Sequence, residues 1–171
     1  MIEDHDAPLQ VMWQGKYVSA LKRGRWEFVS RTGSTNAVVV LAEHEGKVIL
    51  IDQYRVPLGR RCLELPAGLV GDEDEHATVE ETAVKELEEE TGFTCDRVER
   101  LGDFHSSPGM VAESFTLVRA HGVRKVGDGA GTEHEEIDVH LVAREDIPAF
   151  VAERRGQGVA VDVKLLIFMN F

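Results

Sequence analysis

The stretch from Thr78 to Gly92 can be little other than one amphipathic helix, and most of what surrounds it reads as strand. Thr78 and Glu81 form the Thr-x-x-Glu pattern in which a hydroxyl and a carboxylate satisfy each other's backbone N–H groups at a helix start. Val79, Ala83 and Leu87 then recur at helical spacing, and Gly92 supplies the left-handed residue that commonly ends a helix. Upstream, Val38 to Leu41 and Lys47 to Tyr54 are β-branched, apolar runs separated by Ala42-Glu43-His44-Glu45-Gly46, which predicts a hairpin. Lys16 to Leu21 and Arg25 to Arg31 flank Lys22-Arg23-Gly24 and predict a smaller hairpin. Downstream, Val98 to Phe104, Phe115 to His121 and Ile137 to Val142 read as strands. A helix from Asp146 through Pro148 to Arg155, closed by Gly156, and a last helix over Val163 to Met169 complete the pattern.

A chain of 171 residues can bury one real core without disulfides or a structural metal, so one catalytic or binding domain is the expectation. Its two cysteines, Cys62 and Cys95, have no Cys-x-x-Cys or Cys/His spacing, so neither a zinc site nor a disulfide framework is indicated. A formal net charge of -12 argues against a general nucleic-acid binder, because such affinity rests on Lys and Arg neutralising phosphates. Met1-Ile2-Glu3-Asp4-His5-Asp6 lacks the basic and apolar regions of a signal peptide, and no apolar run reaches membrane-spanning length. No membrane association and a cytoplasmic location are therefore expected.

The helix carries an unusual load of acid. Glu86, Glu89 and Glu90 fall at spacings that place them on adjoining positions of one face. A bare run of glutamates most often coats a solvated helix. Here the helix is preceded by Glu64-Leu65-Pro66-Ala67-Gly68, a strand end entering a rigid turn that can deliver a backbone carbonyl to the same point. An all-oxygen set of this kind suits a hard divalent cation such as magnesium, which keeps several waters and binds few carboxylates.

Gly68 to Phe93 resembles the signature of the Nudix family, G-x5-E-x7-R-E-U-x-E-E-x-G-U, where U is a bulky apolar residue. Glu86, Leu87, Glu89, Glu90, Gly92 and Phe93 occupy the expected places, with Lys85 where the family has Arg. Sixteen residues lie between Gly68 and Lys85 where the signature has thirteen, so the turn carries an insertion. The first Glu of the signature then falls on Asp74 counted forward or Ala77 counted backward, with Glu75 as a substitute. The resemblance implies metal binding by Glu86, Glu89, Glu90 and the carbonyl of Ala67 or Gly68, with Mg2+ as cofactor and Mn2+ as a possible replacement. Lys85 keeps the positive charge beside the carboxylates but lacks the planar fork of Arg.

The flanks resemble the ADP-ribose pyrophosphatase branch. Gln53-Tyr54-Arg55 precedes the turn, and Pro108-Gly109, with Pro108 sixteen residues beyond Gly92, is followed by Glu113. Taken alone, Pro108-Gly109 is also an ordinary turn. The branch places an adenine-stacking aromatic and polar contacts where this chain has Trp26, Glu27 and Arg31. Tyr17 is a second candidate for the stack, although either aromatic also fits the core of a small sheet. Arg55 suits a phosphate contact or, alternatively, a surface ion pair. Thr132-Glu133-His134-Glu135-Glu136 stands where the branch carries its catalytic Glu. Glu135 is favoured as the base, Glu133 and Glu136 remain alternatives, and Glu90 counts among the catalytic groups as well as the metal ligands.

The reaction implied is magnesium-dependent hydrolysis of the diphosphate of a nucleoside-diphosphate sugar, with ADP-ribose giving AMP and ribose 5-phosphate. A GDP-mannose pyrophosphatase and a non-catalytic ADP-ribose-binding sensor are the alternatives. The resemblance also implies an α/β fold: an α/β/α sandwich with a mixed sheet, plus a small N-terminal antiparallel sheet. Residues 1–35 would form the N-terminal extension, with dimer and nucleoside contacts, and 36–171 the catalytic domain of a homodimer.

Overall fold

The computed structural model describes residues 3–32, 36–72, 74, 76–129 and 136–169. Three strands open the chain, β1 (Leu9–Gln14), β2 (Val18–Arg23) and β3 (Trp26–Arg31), and pair antiparallel in that order as a separate sheet. The predicted hairpin is β2–β3. β1 adds a strand that the pattern did not announce, because all six of its residues are exposed and a register shift between Val11 and Trp13 breaks its alternation.

Two further sheets form the body. β4 (Asn36–Leu41), β5 (Glu43–His44), β6 (Lys47–Arg55), β7 (Arg60–Glu64) and β8 (Ala67–Leu69) lead into α1 (Val79–Thr91). After α1 come β9 (Phe93–Thr94), β10 (Arg97–Phe104), β11 (Ser114–His121), β12 (Arg124–Lys125), β13 (Ile137–Ala143), α2 (Ile147–Gly156) and β14 (Ala160–Val161), and a 3-10 helix spans Val163–Phe168. One sheet has the order β10-β11-β4-β8 and the other β13-β6-β7-β14, with β5 also paired to β6 and β9 with β12 as a short ribbon. Both large sheets are mixed: β11–β4 and β7–β14 run parallel, and their other neighbours antiparallel.

The expected hairpin between Val38–Leu41 and Lys47–Tyr54 is corrected by this topology. Its turn is real, but β6 returns onto the two-residue β5, while β4 leaves to pair with β11 and β8. β4 is buried on both faces, which is why it reads as an unbroken apolar run instead of an alternating one. Val38 and Val40 pack with Val79, Ala83, Leu87 and Val118 against α1. Val39 and Leu41 pack with Leu50, Leu63, Ile147 and Val151 against α2. Helices thus cover the strands on both sides, the expected α/β/α sandwich.

The α1 boundaries follow their local chemistry. Thr78 Oγ1 accepts the Glu81 N–H at 3.2 Å while Glu81 Oε2 accepts the Thr78 N–H at 2.9 Å, and Gly92 ends the helix at φ 72°. In α2, Gly156 is the last helical residue, and the closing segment after Asp162 is a 3-10 turn instead of an α-helix. Among the described residues no helix is long and apolar enough to cross a membrane.

Candidate active site

A cleft of about 900 Å³ is lined by α1 and by residues of β4, β6, β7 and β8. Glu86, Glu89 and Glu90 all line it, as the helical spacing demands, together with Ala67 and Gly68 from β8. Glu90 is 5% exposed, and its Oε2 accepts the Ala67 N–H at 3.0 Å. A Cβ at Gly68 would stand 1.9 Å from Glu86 Oε1, so a larger residue would have to displace that carboxylate. The glycine therefore leaves the lane through which the Glu86 carboxylate lies over β8. Glu89, at the rim, pairs with Lys85 at 3.6 Å across one turn of helix.

This donor set fits a hard cation, since it is all oxygen, is carried on a rigid helix and is backed by a backbone strand. Among the described residues no three His, Cys, Asp or Glu side chains converge into a closed cage. Magnesium does not require one, because waters and substrate phosphate complete its shell.

The lengthened turn after β8 also borders the cleft through Asp72, Asp74 and Ala77. Asp74, one of the two positions to which the strict signature spacing counts, is used locally: its Oδ1 accepts the His76 N–H at 2.9 Å and its carbonyl accepts the Ala77 N–H at 2.9 Å. Glu75 lies outside the described residues.

Arg55 reaches the cleft from the end of β6, but its fork is spent on Glu64 of β7, with Nε to Oε1 at 2.6 Å and Nη2 to Oε2 at 2.8 Å. Glu64 is 4% exposed and its hydrogen bonds raise the Arg55 pKa above its ordinary value, so the guanidinium is a fixed positive charge. Two of its five N–H donors are committed to that pair. Beside it, burial and the neighbouring Glu64 and Asp162 charges push the Cys62 thiol up to about 12, so it stays a neutral thiol and not a nucleophile.

Arg31, at the end of β3, pairs with Glu113, and both line the cleft. The same junction is stitched by backbone: Val29 N–H donates to Met110 O and Ala112 N–H donates to Val29 O, each at 2.9 Å. The Pro108-Gly109 turn therefore serves, through Met110 to Ala112, to dock the N-terminal sheet. Pro108 and Gly109 do not themselves line the cleft, and neither do Tyr17, Trp26 or Glu27. Trp26 lies five residues up β3 from Arg31, roughly 17 Å at strand rise. Trp26 and Tyr17 are 55% and 65% exposed, so neither belongs to a sheet core.

At the far end of α1, Val126 and Gly127 N–H groups donate to Gly92 O at 2.8 and 3.0 Å. A Cβ on Gly92 would stand 2.3 Å from Gly127 O, and one on Gly129 2.4 Å from Thr91 C. Gly92 thus ends the carboxylate helix and also receives the chain that leads toward Glu133. Glu133 and Glu135 lie outside the described residues.

Sequence reasoning missed Glu64, whose role depends on a partner nine residues away on the next strand, and it missed Phe115, Asp162 and Lys164, which complete the cleft. The only advance signal was the polar pair Asp162 and Lys164 beside a buried apolar run.

Comparison with known proteins agrees with this architecture. A NUDIX domain profile matches residues 33–160. The chain is 35% identical over 137 residues to the ADP-ribose pyrophosphatase of Bacillus subtilis, covering 78% of this chain and 70% of that protein. It is 30% identical over 186 residues to the putative nudix hydrolase 2 of Caenorhabditis elegans, covering 93% and 81%. It is 37% identical over 122 residues to the methanol dehydrogenase activator of Bacillus methanolicus, covering 70% of this chain but only 64% of the activator. Among solved structures, an ADP compounds hydrolase superposes with a TM-score of 0.66 at 19% identity, over 88% of this chain and 94% of that one, a likeness of fold. With the signature carboxylates lining one cleft and the domain profile spanning most of the chain, the protein belongs to the Nudix family of hydrolases.

Proposed function

We propose that the protein hydrolyses the diphosphate of ADP-ribose to AMP and ribose 5-phosphate in a magnesium-dependent reaction. The observation that carries this reading is the single cleft in which Glu86, Glu89 and Glu90 meet the Arg55–Glu64 and Arg31–Glu113 pairs. The 35% identity to an ADP-ribose pyrophosphatase supports the choice of substrate. Glu86, Glu89, Glu90 and the Ala67–Gly68 backbone would hold the metal. When bound there, Mg2+ or Mn2+ would polarise a phosphoryl oxygen and lower the pKa of a water.

The chain's own residues do the rest. Arg55, held charged by Glu64, balances negative charge on the diphosphate. Glu90, fixed by the Ala67 N–H, keeps its carboxylate aimed into the cleft. Glu135, with Glu133 beside it in sequence, is proposed as the proton acceptor on the strength of the family resemblance. Retention of all three α1 glutamates speaks against a binding-only sensor.

A second reading has specific support, since the chain is 31% identical over 131 residues to the GDP-mannose pyrophosphatase of Yersinia pestis, covering 72% of this chain and 64% of that protein. A hydrolysis panel of ADP-ribose, GDP-mannose, UDP-glucose and NADH in magnesium separates the two. ADP-ribose should turn over fastest with AMP as product. Faster cleavage of GDP-mannose would move the assignment, and ADP-ribose binding without turnover in magnesium or manganese would make the protein a sensor.

We also propose that residues 1–35 act as a unit in a homodimer and that Tyr17, Trp26 and Glu27 serve a nucleoside across that interface. Leu9, Val11, Met12 and Trp13 of β1 are all about half exposed, an apolar load that isolated strands rarely carry without a partner. Light scattering should report twice the 19.0 kDa chain mass, and a monomer at micromolar concentration would remove the proposal. Two buried free thiols, Cys62 and Cys95, fit a reducing compartment, and a cytoplasmic location is proposed.

A further inference from the structure

Besides α1, the cleft is lined by Asp162 and Lys164 from the segment that follows β14. α1 packs into one core, whereas Leu165 and Phe168 of the closing 3-10 turn are buried in the other. β14 pairs in parallel with Cys62 and Leu63, and Asp162 N–H donates to Leu63 O at 3.0 Å, which fixes Asp162 beside β7. Asp162 Oδ1 then accepts the Lys164 N–H at 2.7 Å, and Oδ2 holds Lys164 Nζ at 2.7 Å.

Lys164 is held at both its backbone N–H and its head group by Asp162. Its side chain is 16% exposed, its Nζ lies 5.4 Å from the centroid of the Phe115 ring, and both residues line the cleft. An ammonium has three donors, and among the described residues Asp162 takes one. Val161 pairs with Leu63, so Asp162, the next residue, comes beside Glu64, the carboxylate that holds Arg55. Two cations, Arg55 and Lys164, therefore line the same cleft as the α1 carboxylates.

We infer that Lys164 is a substrate-binding residue whose ammonium contacts an oxyanion of the substrate diphosphate in the cleft that Glu86, Glu89 and Glu90 also line. The inference rests on the proposed diphosphate hydrolysis and adds a residue to it. An ammonium acts on phosphate as a compact point charge, and partial burial strengthens that charge. Asp162 is a positioning residue: it fixes the Lys164 backbone and head group together.

The test is isothermal titration of the full chain in magnesium with ADP and with adenosine, beside steady-state kinetics on ADP-ribose. Lys164→Met should weaken ADP binding by about tenfold or more while adenosine affinity stays unchanged, and should raise KM more than it lowers kcat. Lys164→Arg should restore most of the ADP affinity. If thermal melting shows Lys164→Met unfolded, Lys164→Gln keeps the length and polarity without the charge and should lose ADP affinity in the same way. ADP affinity within twofold of wild type in the charge-free variant would overturn the inference and leave Lys164 as a fastener of the 3-10 turn. Wild-type protein that binds ADP but does not cleave ADP-ribose would refute the hydrolysis reading alone. Failure of the wild type to bind ADP at all would refute the Lys164 contact.

Discussion

Glu90→Gln should lower kcat/KM on ADP-ribose by about a hundredfold or more at saturating magnesium, with little change in melting temperature. The substitution is chosen for what it keeps. Gln retains a side-chain oxygen of the same reach, so it can still accept the Ala67 N–H that Glu90 Oε2 accepts at 3.0 Å. What it loses is a charge at a position only 5% exposed, where a carboxylate interacts more strongly with a divalent cation than it would in water. The magnesium concentration for half-maximal rate should rise with the loss of rate. Glu89→Gln should act in the same direction, although Glu89 is more exposed and also releases Lys85 from its ion pair. Glu88→Gln is the control. Glu88 is exposed on α1 and does not line the cleft, so its removal should leave the rate within about twofold. Equal rates for Glu90→Gln and Glu88→Gln would remove the carboxylate face from the mechanism.

The parts of this site that were legible in the sequence are those written in local spacing. The α1 caps at Thr78, Glu81 and Gly92 involve residues within one turn of each other, so their pattern is complete without a tertiary fold. The face carrying Glu86, Glu89 and Glu90 follows from helical periodicity in the same way. Gly68 was legible as a signature position, but its reason was not, because the Glu86 carboxylate that a Cβ would have to displace arrives from another element. The β4 run was recognisable as strand and was assigned the wrong neighbour. A strand buried on both faces has no polar side to indicate its layer, and the parallel pairing to β11 spans the whole of α1. Arg55 was legible as a cation near phosphate, whereas its commitment to Glu64 required the β6–β7 register. Trp26 is a different case: its aromatic character and position suggest a ligand stack, and because it does not line the cleft of its own chain, that role is proposed across a dimer interface.

The β6 register creates a second buried charge that the mechanism does not use, and its removal should cost the most stability. Asp52 is fully buried between β7 and α2. Its Oδ1 accepts Arg61 Nε at 2.6 Å, its Oδ2 accepts Arg154 Nη2, and Arg61 goes on to Asp138 at 2.7 Å. Asp52→Ala should destabilise the protein by about 3 kcal/mol, because it takes the carboxylate from Arg154, only 19% exposed, and the buried one of two carboxylates from Arg61, 28% exposed. For a chain of this size that corresponds to roughly 6–12 °C in melting temperature. Nearby His140 gains nothing from taking up a proton in compensation: burial and the adjacent Arg154 already hold its pKa below the ordinary value. A neutral imidazole there avoids a third cation in the cluster. The loss should come from unpaired charge and not from a missing attraction, so replacing the cluster as a whole tests the cause. Asp52→Leu combined with Arg61→Met and Arg154→Leu should recover most of the stability lost by Asp52→Ala, since apolar side chains of similar volume leave no buried charge behind, and Asp138, 66% exposed, is solvated by water. Urea melts of the wild type, the single variant and the triple variant give the comparison directly. A single variant within about 0.5 kcal/mol of wild type would mean that water reaches and solvates Arg61 and Arg154 once Asp52 is gone. A triple variant less stable than the single one would show instead that the charged cluster itself holds α2 against β6.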